Sequence, residues 1–217
     1  MKNLIYKEFK LSASALSFLF LAFSLLALVP GYPILVGIFF ICMGIFQSFA
    51  KSRENNDILY TVLLPIKKSD AVKAKYAFVL VIEFLSFLLC AAAAALRTFC
   101  LSSSEVYKHN VLMNANLVYL GFVLLIFAAF NLVFLNGFFK TAYYYGKPFV
   151  MFIVAAFLIV AAAETLHHLP GLEFLNGAAD ADTPKRAVFF IICTAVFAAV
   201  TALALKSSKK RFSNIDL

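Results

Sequence analysis

Six stretches of this sequence, at residues 11–29, 33–50, 76–96, 117–139, 148–163 and 187–205, hold between them a single formally charged side chain, Glu83. Runs of that kind leave a chain few options. Crossing roughly 30 Å of bilayer hydrocarbon takes about twenty apolar residues at ~1.5 Å each, and the backbone must satisfy its hydrogen bonds within helices or a closed barrel. The runs are continuously apolar and lack the alternation of barrel strands, so they predict helices. The expected fold class is therefore all-α, a polytopic membrane protein with six transmembrane helices. In 217 residues that are 64% hydrophobic, six spans leave no room for a separate soluble domain, and residues 1–217 read as a single transmembrane domain.

The first two runs are separated by Pro30, Gly31, Tyr32 and Pro33, a tight turn in which proline and glycine stop one helix and start the next. The fifth run is short, and residues 143–147 extend it if Lys147 snorkels to the interface. Counting Lys and Arg in alternate connections gives the orientation. One set, at residues 2–10, 51–75, 140–147 and 206–211, holds fifteen; the other, Arg97, Lys108, Lys185 and Arg186, holds four. Both termini are expected in the cytoplasm. This asymmetry, with attraction to anionic lipid, accounts for the net charge of +8 and makes a nucleic-acid partner unexpected.

A basic start before an apolar run also fits a signal peptide, but the run is a full span, no small-residue cleavage site stands near Val29, and a second span follows at once. Leu4, Ile5 and Phe9 recur at helical spacing among Lys2, Lys7, Glu8 and Lys10, which fits a short elbow helix over residues 1–10 lying in the interface; a basic flank that only sets topology is the alternative.

Residues 51–75, KSRENNDILYTVLLPIKKSDAVKAK, form the one long charged connection. Asn55 or Asn56 is placed to cap a helix, Asp57 falls in its first turn where the macrodipole favours an acid, and Pro65 limits it to about two turns. Ile58, Leu59, Val62, Leu63 and Ile66 recur at helical spacing and predict one apolar face. Ser69 is placed to cap a second helix leading into the third span. Such an amphipathic element fits a docking helix or one that rests on the membrane surface.

The segment ENNDILYTVLLPIKKSDAVKAKY, together with LIYKEFKL before the first span and LNGFFKTAYYYGKPF between the fourth and fifth, resembles the ABC-2 type permease family of ATP-binding-cassette transporters. The resemblance runs the length of the chain in span count and topology. It implies a coupling helix in the first cytoplasmic loop that seats in a cleft of an ATPase subunit, with Glu54, Asp57, Ile58, Tyr60, Leu63, Leu64 and Pro65 as contacts. Residues 140–147, including Lys140 and Tyr144, become a second, smaller contact. No GxxxxGK[ST] phosphate loop occurs in the sequence, so ATP and Mg belong to a separate nucleotide-binding subunit, and no cofactor is expected in this chain. Six spans make half a transporter, which implies a second permease copy or homologue as partner, with the substrate path between the two. Export of an amphipathic or hydrophobic substrate (peptide, lipid-like or drug-like) is the direction the resemblance favours.

Glu83 stands out because an ionisable side chain at membrane depth must face protein or water. Asn131, on the fourth run, reaches a similar depth and is placed to hydrogen-bond to it. The pair reads either as a polar point on a transport path, including a proton site, or as a helix-packing bond, with snorkelling of Glu83 toward Arg53 or Lys75 as a further alternative. In the connection 164–186, Glu164, His167 and His168 lack the spacing and third ligand of a zinc motif, and His109 lies in another loop, so no metal is expected; leucines and Phe174 around Pro170 and Gly171 fit a re-entrant region instead. Cys42, Cys90 and Cys193 fall within spans and Cys100 is alone, which gives no disulfide framework. A non-transporting sensor or immunity-type membrane protein keeps the same topology without an ATPase. An intramembrane hydrolase, the weaker alternative, needs an embedded nucleophile and base or metal ligands, and the spans offer one glutamate and scattered Ser, Thr and Asn.

Overall fold

The computed structural model describes residues 1–101, 107, 112–176 and 182–215, and among these every regular element is a helix. In chain order they are α1 (Lys2–Ser12), α2 (Ala15–Leu28), α3 (Val36–Glu54), α4 (Asp57–Leu63), α5 (Lys68–Cys100), α6 (Leu117–Phe138), α7 (Gly146–Leu166) and α8 (Thr183–Ser213). Four of them, α5 to α8, are long and apolar enough to cross a membrane, and the bent pair α1 and α2 makes five if it is one span. Six runs in the sequence thus become four or five spans by length and composition. The difference lies at the N-terminal side, where α2 is short and where α3 carries Lys51, Arg53 and Glu54 in its last turns.

α1 ends in a π turn over Glu8–Ser12, Ala13 and Ser14 are extended, and α2 departs at 94°. Ser14 caps the new helix by accepting from the Leu16 amide. Within α2 the backbone tightens to a 3-10 helix from Phe20 to Leu28. Because a 3-10 helix rises ~2.0 Å per residue, the segment reaches roughly 25 Å where an α-helix of the same length reaches roughly 21 Å.

α2 lies close against α3 because α3 presents glycines to it. A Cβ on Gly44 would stand 2.9 Å from the Leu16 carbonyl oxygen, and one on Gly37 2.5 Å from that of Phe23. Ser17 Oγ donates to the Gly44 carbonyl at 2.7 Å and lies 2.7 Å from Ser48 Oγ, which also accepts from the Ser14 amide at 2.7 Å. Small residues joined by hydrogen bonds are how helices associate where the hydrophobic effect gives no preference for protein over lipid.

The core between α3, α6 and α7 is aromatic. Phe46 stacks on Phe149 at 3.9 Å between centroids, while Phe49 meets Phe134 edge-on at 5.1 Å and Phe130 meets Phe152 edge-on at 5.0 Å. Phe84, Phe99 and Phe157 face outward. The phenylalanines therefore divide between a packed interior and the lipid-facing side.

Contacts sort the connections into two ends. At the basic end, Arg53 reaches Tyr143 and Tyr145, Lys68 Nζ donates to the Ile215 carbonyl and Arg211 to that of Asn136. At the opposite end three asparagines lace the connections together. Asn116 caps α6 by accepting from the Val118 and Tyr119 amides and donates to the Leu175 carbonyl at 2.9 Å; the Asn114 amide donates to Asn176 Oδ1 at 2.6 Å; and Asn176 Nδ2 donates to the Leu112 carbonyl at 3.3 Å. Arg97 joins them, donating to the Ala27 carbonyl at 3.0 Å and to Asn114 Oδ1 at 3.1 Å. In the expected re-entrant region, 164–186, α7 runs on to Leu166 and α8 begins at Thr183; the described residues between them form turns and a 3-10 turn at Glu173–Leu175, with Gly171 at φ +86°. Residues 177–181, like Lys108 and His109, lie outside the described residues.

Candidate functional site

Two residues turn the chain from α3 into α4. Asn56 is in the left-handed region at φ +50°, a conformation that asparagine tolerates because its short polar side chain bonds locally. It occupies the cap position of α4, but its side chain caps nothing, which corrects the capping role expected of it. The helix ends at Leu63, two residues before Pro65, and α5 begins at Lys68 with Lys67 at its cap position, so Ser69 falls inside the helix and does not cap it.

α4 is held by a closed ring of two acids and two bases. Lys7 Nζ lies 2.9 Å from Glu8 Oε1 and 2.7 Å from Asp57 Oδ1; Lys75 Nζ lies 2.9 Å from Glu8 Oε2 and 3.2 Å from Asp57 Oδ2. Hydroxyls complete it. Ser52 Oγ donates to Asp57 Oδ2 at 3.0 Å and accepts from Lys75 at 3.0 Å, and Thr61 Oγ1 accepts from Lys7 at 2.7 Å while donating to the Asp57 carbonyl at 2.6 Å. Four helices, α1, α3, α4 and α5, meet here. Glu8 and Lys75 are buried, and removing one member of such a group leaves an uncompensated charge. Burial pushes the Asp57 carboxyl up, but Lys75, Lys7 and the Ser52 hydroxyl outweigh it and bring the group down from 3.8 to about 2.

Two of the expected ATPase contacts are also tied into the protein. Asp57 turns into the protein with its side chain 14% exposed and both oxygens engaged, and Ile58 packs on the core, because the left-handed turn at Asn56 aims the start of α4 inward. The single apolar face expected of α4 is also two faces. Ile58, Val62 and Ile66 pack inward, while Leu59, Tyr60, Leu63 and Leu64 face outward, with Tyr60 at 65% and Leu63 at 74% exposure. Glu54 and Pro65 are exposed beside them. A cleft of about 530 Å³ runs between α1 and this outer face, reaching from Leu11 to Leu63 and Leu64.

Residues 140–147 lie alongside. Arg53 donates to the Tyr143 hydroxyl at 3.1 Å and to the Tyr145 hydroxyl at 3.4 Å, and its guanidinium sits 4.5 Å and 5.3 Å from the two ring centroids. The two connections that the sequence placed separately are therefore fastened by one arginine. Lys140 and Tyr144, in the same connection, are exposed.

Inside the helix bundle, Asn131 Nδ2 donates to Glu83 Oε2 at 3.1 Å and lies 3.1 Å from Thr201 Oγ1, so α5, α6 and α8 meet at one polar point. Asn131 sits in a π-helical stretch, Phe130–Leu135, whose wider turn shifts the register of α6 there. Glu83 Oε1 and Asn131 Oδ1 are buried without a hydrogen-bond partner. Snorkelling of Glu83 toward Arg53 or Lys75 does not occur, since both cations are engaged elsewhere. At the opposite end, Glu164 Oε2 accepts from the Met113 amide at 2.9 Å and the rings of His167 and His168 pack 4.0 Å apart. Among the described residues no three His, Cys, Asp or Glu side chains gather in a metal-binding arrangement.

Sequence reasoning missed Lys7, Glu8, Ser52 and Lys75. One signal was available: Ala71, Val72, Lys75, Tyr76 and Val79 recur at helical spacing, which puts a lysine in the buried stripe of α5, where it requires an acid.

No curated protein and no solved structure matches the chain. The family described as ABC-2 family transporter protein matches it over residues 3–212. With that match over nearly its whole length and several long apolar helices, the chain belongs to the ABC-2 transporter family and is a multi-pass membrane permease subunit of an ABC transporter.

Proposed function

We propose that the chain is the membrane half of an exporter that carries an amphipathic or hydrophobic substrate outward across a bacterial cytoplasmic membrane, driven by ATP and Mg on a separate ATPase subunit. Two permease copies or homologues form the working unit. α2 and α3 serve as the first two of six spans, α1 is the elbow in the interface, and the excess of Lys and Arg puts the basic end and both termini in the cytoplasm. α4 is the coupling helix. The observation that carries this reading is the outward apolar face of Leu59, Tyr60, Leu63 and Leu64 on a short helix whose inner side is locked by four charges. A face of that kind on a rigid base suits a socket in a soluble partner, with Glu54, Pro65, Lys140 and Tyr144 at its margin. Closure of two ATPases on ATP would draw the coupling helices together, and differential affinity of ATP for the two arrangements would drive the change. Asp57 and Ile58 then hold the helix and do not touch the ATPase.

Co-purification with an ABC ATPase tests this. Leu63→Glu is expected to abolish co-purification while the chain still inserts in the membrane, because the substitution alters only an outward side chain. An ATPase that stays bound to Leu63→Glu rules out α4 as the contact. A wild-type chain that brings down no ATPase favours the non-transporting sensor or immunity-type reading.

A further inference from the structure

A second concavity lies on the lipid-facing flank of the basic end, where α6, the 140–147 connection, the start of α7 and the end of α8 meet. It encloses about 850 Å³. Its floor is apolar, formed by Leu132, Pro148 and Met151, and its rim carries Lys140, Lys147 and Arg211 with no acid among the lining residues. Leu132 lies six residues before the end of α6 at Phe138, so the floor reaches up to roughly 9 Å below that end, deeper than a soluble subunit enters. Asn136, also in the lining and buried, has a side-chain oxygen without a partner. An occupant must bring negative charge to the rim and an aliphatic chain for the floor. A two-fold copy of the same surface brings three more cations and no acid.

We propose that this groove binds one anionic glycerophospholipid, its phosphate between Lys140, Lys147 and Arg211 and one acyl chain along Leu132 and Met151. Arg211 is already set for this, because its donation to the Asn136 carbonyl at 3.0 Å fixes the guanidinium at the groove. Lys140 and Tyr144 also border the proposed ATPase contact, so the site is assayed without that subunit.

The purified chain is reconstituted in phosphatidylcholine vesicles containing a trace of spin-labelled phosphatidylglycerol or spin-labelled phosphatidylcholine, and the motionally restricted fraction of each label is measured. Phosphatidylglycerol is expected to be preferred, and the combined Lys140→Gln, Lys147→Gln and Arg211→Gln variant to lower that preference at least about fivefold, the effect of one cation near the surface. Removing the same charge through Lys206→Gln, Lys209→Gln and Lys210→Gln is expected to leave it. Leu132→Trp fills the floor with every cation retained and is expected to lose it. Equal loss in the two triple variants would mean diffuse attraction and overturn the site, as would a wild-type chain with no preference. If Leu132→Trp keeps the lipid preference but abolishes a cross-linked dimer, the groove belongs to a second copy and the lipid assignment fails.

Discussion

At the residue scale, the Glu83, Asn131 and Thr201 point is the clearest case of chemistry dictating packing. A carboxyl buried among apolar helices needs a partner, and Asn131 is the one that the π turn of α6 brings within 3.1 Å. Asn131→Leu strips that partner away, and the chain is expected to lose roughly 1–3 kcal/mol, the desolvation cost of a buried polar group left alone. The double variant Glu83→Leu with Asn131→Leu is expected to recover most of the loss, because two apolar groups replace a polar pair. Thermal unfolding in detergent reads both, and a double variant no better than the single one contradicts the account. This pairing was legible in the sequence, because only one charged residue and few amides fall within the apolar runs and helix rise fixes their depth. The bond to Thr201 was not legible, since threonine at that depth satisfies itself on its own helix as readily as on another.

At the scale of elements, α4 draws its rigidity from Lys7, Glu8 and Lys75, none of which belongs to it. The Asp57 carboxyl is lowered to about 2 from 3.8, so the stability it contributes is present above pH 4 and is lost as pH falls toward 2. Hydrogen exchange of the α4 amides is expected to be flat from pH 8 to pH 5 after correction for intrinsic rates, and protection is expected to fall between about pH 4 and pH 2. In Asp57→Asn the same step is expected to vanish; a step that persists assigns it to another group. The two-turn length of α4 and its stop at Pro65 were plain in the sequence. Its orientation was not, because five apolar residues in a seven-residue helix leave its two sides indistinguishable by periodicity, and the left-handed turn at Asn56 selects which side faces in. The ring was hidden for a different reason: Glu8 and Lys75 are 67 positions apart, and although Lys75 falls in the buried stripe of α5, helical spacing does not say which acid meets it.

At the scale of the whole molecule, the all-helical class followed from backbone hydrogen bonding in lipid, while the number of spans did not follow from run length alone. α2 is lengthened by its 3-10 segment, and α3 ends in charge, so both fall between a span and an interfacial segment. Single cysteines in a background free of the four native ones separate these possibilities. Leu64→Cys, Tyr144→Cys and Ser213→Cys are expected to react with an impermeant thiol reagent only from the inside, and Val29→Cys and Leu169→Cys only from the outside. Labelling of Val29 and Leu64 from the same side disproves the six-span arrangement, because α3 alone separates them. The asparagine lacing at the opposite end has a mechanical consequence. α5 is a continuous rod of 33 residues, pinned at Arg97 to the α2 carbonyl and Asn114 and gripped at Lys75 by the charged ring. Those two attachments are about 33 Å apart. With Arg97 as the fulcrum, a tilt of about 10° carries Lys75, and α4 with it, roughly 6 Å sideways; in the coupling role proposed for α4, α5 is the lever and α4 its short, stiff handle.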